Sequence, residues 1–332
     1  MSQPAQTKLP RWRGFNLLNA FYSSGDGTFL EDDFRWISEW GFDFVRLPMT
    51  YGHWTVDGDW DRLDESFLDK IDRVIEFGDR YGIHVDLNFH HAPGFSVNSK
   101  ITPRANLWKD PEPLSAFCEH WRMFARRYAG VPSQRLSFNL VNEPKAIGDS
   151  MSRDDHERVV RTAVAAIREI DPERLIIADG TSWGNVPTPE LSDLGIAQSC
   201  RAYVPIEVSH FKAHWIKRAQ WPEPAWPMTL SDGSVWDRSA LAKRYEPWIE
   251  LARSGVGVHC GEGGAYSFTP HDVFLAWFED VLSILTDAGI GYALWNFRGP
   301  FGVLDTKRRE GAFEDWHGHA LDRKLLDLLR RY

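Results

Sequence analysis

Residues 135–144 read Arg135-Leu-Ser-Phe-Asn-Leu-Val-Asn-Glu-Pro144. A short β-prone run, Arg135–Leu140, stops at a polar pair, Asn142 and Glu143. The same order recurs along the chain. Further candidate strands are Arg13–Asn16, Phe42–Leu47, His84–Phe89, Arg174–Ala178, Gln198–Val204, Gly257–Gly261 and Tyr292–Asn296. Several are nearly continuous apolar stretches, as expected of parallel strands buried on both faces. Amphipathic helical spacing fills the gaps: Leu63–Tyr81, Leu114–Tyr128, Asp154–Ile170, Ser239–Ser254, His271–Ala288 and Leu321–Leu329. Eight strands alternating with helices over this length predict a single (β/α)8 barrel domain spanning residues 1–332. A doubly wound sheet fits less well, because no Gly-rich phosphate loop opens an early helix. The long, Trp- and Pro-rich segment Pro205–Asp237 reads as an elaborated loop after strand six.

Composition narrows the partners. The 332 residues carry a formal net charge of −9. Binding to nucleic acid needs a clustered basic surface, so that class is excluded. The one basic run, Lys307–Arg309, is followed by Glu310, Glu314 and Asp315 and reads as a solvated loop. No run of about 18 apolar residues suggests a membrane span, and the first ten residues lack a signal-peptide pattern, so a cytoplasmic location is the expectation. Cys118, Cys200 and Cys260 are widely spaced and form no CxxC pair; they read as apolar fillers. Sixteen Trp are present. Trp54, Trp108, Trp183, Trp221 and Trp226 fall in loop-like segments, where they either pin long loops or offer flat faces to a ligand such as a sugar. Trp36, Trp40, Trp121 and Trp277 lie on helical patterns and read as core.

In such barrels the C-terminal ends of the strands face the active site. Those positions carry Asn16 and Asn19, Arg46, His90 and His91, Asn142 and Glu143, Trp183, Arg201 and Tyr203 with His210 beyond, Glu262, and Trp295. Glu143 and Glu262, after strands four and seven, stand across the barrel mouth. Two carboxylates flanking a cleft suit glycoside hydrolysis, in which one is protonated and the other ionised. Arg46 and Tyr203 are the kind of neighbours that keep a carboxylate ionised and aligned. A metal site using His90 and His91 competes for the same residue types, but adjacent strand residues point to opposite sides; His90 is the one expected to face the site.

Six segments in order resemble glycoside hydrolase family five, the cellulase-like family. They are Arg46-Leu-Pro48, Asn88-Phe-His-His-Ala-Pro-Gly94, Leu140-Val-Asn-Glu-Pro144, Arg201-Ala-Tyr203-Val-Pro205 with Ser209-His210, Val258-His-Cys-Gly-Glu-Gly-Gly264, and Ala293-Leu-Trp-Asn-Phe297 with Phe301-Gly-Val303. The likeness runs from about Trp12 to Leu329. It implies a retaining β-glycoside hydrolase with Glu143 as acid/base and Glu262 as nucleophile, their carboxyls about 5–5.5 Å apart. By the same resemblance Arg46 would orient Glu262, Asn142 would hold the sugar 2-hydroxyl, His90 would bond the sugar and Trp295 would form a stacking floor. Trp183 and Trp215 are candidate sugar contacts, as are Tyr203 and His210. No metal or organic cofactor is called for.

Strand six departs from the family pattern. Arg201 stands where a His is expected. A permanent charge there would lower the proton affinity of Glu143, unless the side chain turns to another carboxylate or to substrate. The resemblance points first to β-1,4-glucan or cello-oligosaccharides. An exo-acting β-glycosidase on small glycosides, a catalytically silent carbohydrate-binding barrel and a metal-dependent barrel hydrolase are the competing readings.

Overall fold

A computed structural model describes residues 8–22, 25–98 and 100–332. Eight parallel strands close on themselves: β1 (Arg13–Asn16), β2 (Phe44–Thr50), β3 (His84–Ala92), β4 (Leu136–Asn139), β5 (Leu175–Asp179), β6 (Ala197–Ala202), β7 (Val258–Gly263) and β8 (Gly291–Leu294). The hydrogen-bonded order is 2-1-8-7-6-5-4-3, and β3 pairs back onto β2 to seal the barrel. Every predicted strand is present, with bounds shifted by a few residues.

Outside the barrel lie α1 (Glu31–Glu39), α2 (Glu65–Tyr81), α3 (Pro111–Arg127), α4 (Arg153–Arg168), α5 (Arg238–Arg253), α6 (His271–Asp287) and α7 (Arg323–Arg331). Their ends follow local chemistry. Ser152 and Asp155 form a reciprocal capping box that starts α4. Gly82, at φ 67°, supplies the left-handed residue that ends α2. The segment between β5 and β6 holds two short turns, Thr181–Gly184 and the 3-10 turn Pro189–Leu194, where the barrel repeat calls for a long helix. The long loop after β6 contains a small hairpin, Met228–Thr229 paired with Val235–Trp236. A second hairpin, Phe313–Trp316 with Phe313 opposite Asp322, precedes α7; the hydrophobic pattern did not announce it.

The apolar core fills the layer between strands and helices. Phe89 stacks on Trp121 at 3.9 Å, and Trp121 on Phe138 at 5.0 Å. Trp54 and Trp108 belong to this layer, buried against Phe89 and Phe95, so these two loop tryptophans are packing residues with no face to offer a ligand. Trp226 donates from Nε1 to Asp280 on α6 and Trp221 packs on Phe211; both pin the long loop. The reading of Lys307–Arg309 as solvated is also corrected at its centre. Arg308 is buried, donates to the carbonyls of Ala265 and Thr269, and lies over Phe274.

Inside the barrel the chemistry is different. Along β3 the apolar residues Val85, Leu87 and Phe89 join the helix-side core, while the alternate side chains His84, Asp86 and Asn88 make polar contacts across the lumen. The expectation of strands apolar on both faces therefore holds only for the outer one. A narrow barrel can be lined with polar side chains when nearly all of them find partners, and here most do. At its N-terminal end Trp12 stacks on His84 at 3.7 Å beside Phe44 and His259, forming an aromatic plug.

Two strands carry one extra residue. On β3, Met49 opposes Phe89 but Thr50 opposes His91, so His90 is the inserted position. On β7, Cys260 opposes Cys200 and Glu262 opposes Arg201, so Gly261 is the inserted position. A bulge changes which way the following side chain points.

Candidate active site

The site is built from side chains on or just beyond all eight barrel strands. Strand alternation puts His259 inside the lumen and Cys260 outside; unbroken, it would send Glu262 outside with Cys260. The extra residue at Gly261 turns Glu262 inward instead, where its side chain is 3% exposed. Arg46 Nη1 donates to Glu262 Oε1 at 2.7 Å, and the Tyr203 hydroxyl donates to Oε2 at 3.1 Å. Arg46 is itself fixed by Asn16 and Asn139, each at 2.9 Å. Glu262 is thus clamped on both oxygens.

Glu143 is held differently. Its backbone lies in the left-handed region, φ 49°, which a non-glycine residue enters at a cost of about 1–3 kcal/mol. Its amide donates to Asp179 Oδ2 at 2.9 Å, and Arg201 Nε donates to its Oε1 at 3.0 Å. The side chain keeps 14% of its surface exposed at the barrel mouth. Burial pushes its proton affinity up, the negative charge of Glu262 pushes further, and Arg201 opposes both without cancelling them. Arg201 thus lowers the proton affinity of Glu143 as expected, and it also turns to a second carboxylate, Asp179, while burial and Glu262 set the net direction upward.

Arg201 lies beneath the mouth. Its Nη2 reaches Asn142 Oδ1 at 2.9 Å, pairs with Asp179, and stands 3.3 Å from Glu262 Oε1. Its N–H groups are all engaged within the protein, so it has none to offer a sugar. Asn142 Oδ1 accepts from Arg46 as well, at 2.8 Å. Those two donors fix the amide, leaving its Nδ2 directed at His90 Nε2, 3.3 Å away.

The slip at His90 leaves both neighbouring histidines beside Phe21, their rings 5.3 Å apart, rather than on opposite faces as simple alternation predicted. Burial keeps each of them neutral, His90 well below the usual range and His91 at about 4. Among the described residues no group of three His, Cys, Asp or Glu side chains is placed to hold a metal ion. Trp295, half-buried, packs against His90 at 5.5 Å and Phe21 at 5.6 Å.

The opposite wall is aromatic. His210 meets Tyr203 edge-on at 4.9 Å, and burial keeps it neutral, at about 4. Trp215, 43% exposed, packs edge-on against Tyr266 at 5.0 Å and lies near Phe301 at 6.2 Å. Trp183, 46% exposed, rides on a left-handed turn whose amide donates to Pro144 O, just beyond Glu143. All the expected site residues thus gather at one end of the barrel, with Arg201 behind the rest.

Sequence reasoning missed Asp179, Asn139, Asp86, Tyr266 and Phe301. Asp179 ends the run Leu175-Ile-Ile-Ala-Asp179, so the rule that found Glu143 would have found it had the strand been extended by one residue. Asp86 and Asn139 carry only a faint signal, a polar residue at every second position of a buried strand.

Asp86 is buried beside His84 and Ser137. His84 Nδ1 faces the carbonyl of Gln134 at 3.0 Å, and burial keeps the ring neutral, at about 3. Ser137 Oγ lies 2.8 Å from His84 Nε2 and donates to Asp86 Oδ1 at 2.7 Å. Burial raises Asp86 to about 7 despite that bond and Arg46 nearby, both of which lower it. Two guanidiniums, Arg46 and Arg201, face four carboxyls, Asp86, Glu143, Asp179 and Glu262. Protons on Asp86 and Glu143 bring that buried cluster to neutrality.

Comparison with known proteins agrees with this geometry. Residues 4–299 match the cellulase family, glycosyl hydrolase family 5. Endoglucanase C of Acetivibrio thermocellus is 29% identical over 299 residues, covering 82% of this chain and 84% of that one. Cellodextrinase A of Ruminococcus flavefaciens is 26% identical over 276 residues, covering 80% and 77%. A solved crystal structure of a glycoside hydrolase superposes with a TM-score of 0.93 at 38% identity, over 97% of this chain and 99% of that one. With a closed parallel barrel and two clamped glutamates at its mouth, the chain belongs to glycosyl hydrolase family 5 and is an O-glycosyl hydrolase.

Proposed function

We propose that the protein cleaves β-1,4-linked glucan chains or cello-oligosaccharides by double displacement, with Glu262 as nucleophile and Glu143 as acid/base. The observation that carries this reading is the opposite setting of two neighbouring carboxyls. Glu262 accepts a hydrogen bond on each oxygen, from Arg46 and from Tyr203, which fixes the carboxylate for attack. Glu143 is held above its ordinary proton affinity and so enters the reaction as an acid. One guanidinium touches both, which brings the two carboxyls to the same head group.

Glu262 attacks the anomeric carbon while Glu143 protonates the departing oxygen. Water then gives its proton to Glu143 and releases the sugar from Glu262. Arg46 and Tyr203 align the nucleophile. Asn142 Nδ2, its amide turned by two arginines, faces the cleft as donor to a sugar 2-hydroxyl, with His90 beside it. Trp295 supplies the stacking floor, and Trp215 and Trp183 extend the aromatic surface beyond the cleavage point. The glucan-cleaving names of the relatives, an endoglucanase and a cellodextrinase, support the choice of substrate.

The test is digestion of cellopentaose followed by NMR of the first-formed products, in buffer with excess chelator. Retained β-configuration and mid-chain products are expected, and Glu262→Ala is expected to lose activity by at least about 10³-fold. Inverted products would remove Glu262 from the nucleophile role. Activity abolished by the chelator would replace the whole scheme with metal-assisted hydrolysis.

A further inference from the structure

The residue that breaks the family pattern sits in a niche shaped around it. The Arg201 side chain is 1% exposed. Ser199 Oγ and the Cys200 carbonyl take its Nη1 at 2.9 and 3.0 Å. Two glycines leave room for it. A Cβ on Gly184, whose φ is +73°, would stand 2.5 Å from Arg201 Cγ. A Cβ on Gly261 would stand 3.1 Å from Arg201 Nη1 and 2.6 Å from Ser199 Oγ. Asp179, fully buried, takes Nη2 and also the backbone N–H of Glu143. An imidazole has two nitrogens and a shorter reach, and cannot make this set of contacts.

We propose that Arg201 and Asp179 act as a positioning pair that holds the Glu143 carboxyl in register with Glu262 and passes one guanidinium charge between the two glutamates during turnover. The inference rests on the assignment of Glu143 and Glu262 made above. Before reaction the negative charge is on Glu262 and the proton on Glu143. As the Glu262–carbon bond forms and the glycosidic carbon–oxygen bond breaks, the leaving oxygen takes the proton. Glu262 becomes a neutral ester and Glu143 a carboxylate. One negative charge has moved from one glutamate to the other, and Arg201, in contact with both, serves it at either end. Water then transfers a proton to Glu143 and bonds to the anomeric carbon as the ester breaks, which restores the start. Asp179 balances the guanidinium so that its full charge does not fall on Glu143 in the free enzyme.

The charged and titratable groups around the two glutamates are Arg46 of β2, Asp86 and His90 of β3, Asp179 of β5, and Arg201 and Tyr203 of β6. Of these, Asp179 is the one whose removal leaves Arg201 uncompensated without touching substrate. The experiment compares kcat/KM against pH for the wild type, Asp179→Asn and Arg201→Gln, on phenyl and 2,4-dinitrophenyl β-cellobiosides. Asp179→Asn is expected to move the alkaline limb for the phenyl substrate down by one pH unit or more. The dinitrophenyl substrate, whose leaving group needs no acid, is expected to lose less than tenfold in rate. Arg201→Gln is expected to move the limb upward and to make glycosyl-enzyme breakdown slow, visible as a burst of dinitrophenolate. A limb position does not depend on the fraction of enzyme folded, so partial misfolding leaves the comparison intact. Profiles that coincide with the wild type, or equal losses on both substrates, would overturn the pair. Glu143→Gln serves as the separate control: if it kept full activity on the phenyl substrate, the acid/base assignment itself would fall, whatever Asp179 does.

Discussion

A carboxyl that keeps its proton inside a folded protein makes stability fall as pH rises. Asp86 is such a case, its affinity raised to about 7 by burial that outweighs Arg46 and the Ser137 hydrogen bond. Its folded value lies above its unfolded one, near 4. Its contribution is therefore fully present below about pH 4 and is lost as pH climbs through about 7. Asp86→Asn mimics the protonated acid and cannot ionise. Thermal melts are expected to show the variant gaining on the wild type between pH 5 and pH 8.5, with kcat at pH 6 changed less than threefold. A difference in melting temperature that stays constant over that range would mean Asp86 is ionised throughout.

At the scale of single elements, position depends on small departures from regularity. Gly184 closes the turn after β5 at positive φ and leaves space for the Arg201 stem. Gly184→Ala places a methyl against that stem in a conformation that L-residues avoid. It is expected to cost about 1–3 kcal/mol by urea denaturation and to lower kcat more than it raises KM. A variant as stable and active as the wild type would show the niche to be loose. These departures also mark where reading the sequence stops. The eight strands and six of the seven helices are legible because burial imposes a period of two or 3.6. The clustering of Glu143, Glu262, Arg46, Asn142 and Trp295 is legible because barrel strands all present their C-terminal ends on one side. The bulges at His90 and Gly261 are not, since one inserted residue leaves no trace in a hydrophobic pattern. Trp54 and Trp108 look like ligand contacts because they lie outside regular elements, yet loops that fold back over a barrel bury residues as thoroughly as helices do. Arg308 defeats the reading for the opposite reason: in the structure the main-chain carbonyls of Ala265 and Thr269 supply what a charged side chain otherwise seeks from water.

Over the whole molecule the barrel divides into a closed end and an open one. Trp12, Phe44, His84 and His259 fill the N-terminal end with stacked rings, while the polar cluster and the cleft occupy the other. The plug touches no residue assigned to catalysis. Trp12→Ala is expected to cost about 3–5 kcal/mol, measured by urea denaturation, with KM unchanged for folded enzyme. A shift in KM of more than threefold would mean that the packed end reaches the cleft mechanically.

The extra residue at Gly261 makes length a functional quantity in β7. Side chains along a strand count odd and even, and the count decides which ones face the lumen. Pairing Val258–Gly263 with β6 residue for residue, without the slip, would leave the composition of that segment untouched. It would nevertheless hand the lumen position to Gly261 and send the Glu262 carboxylate into the oily layer under the helices. For this strand the arithmetic of pairing matters as much as the identity of any side chain.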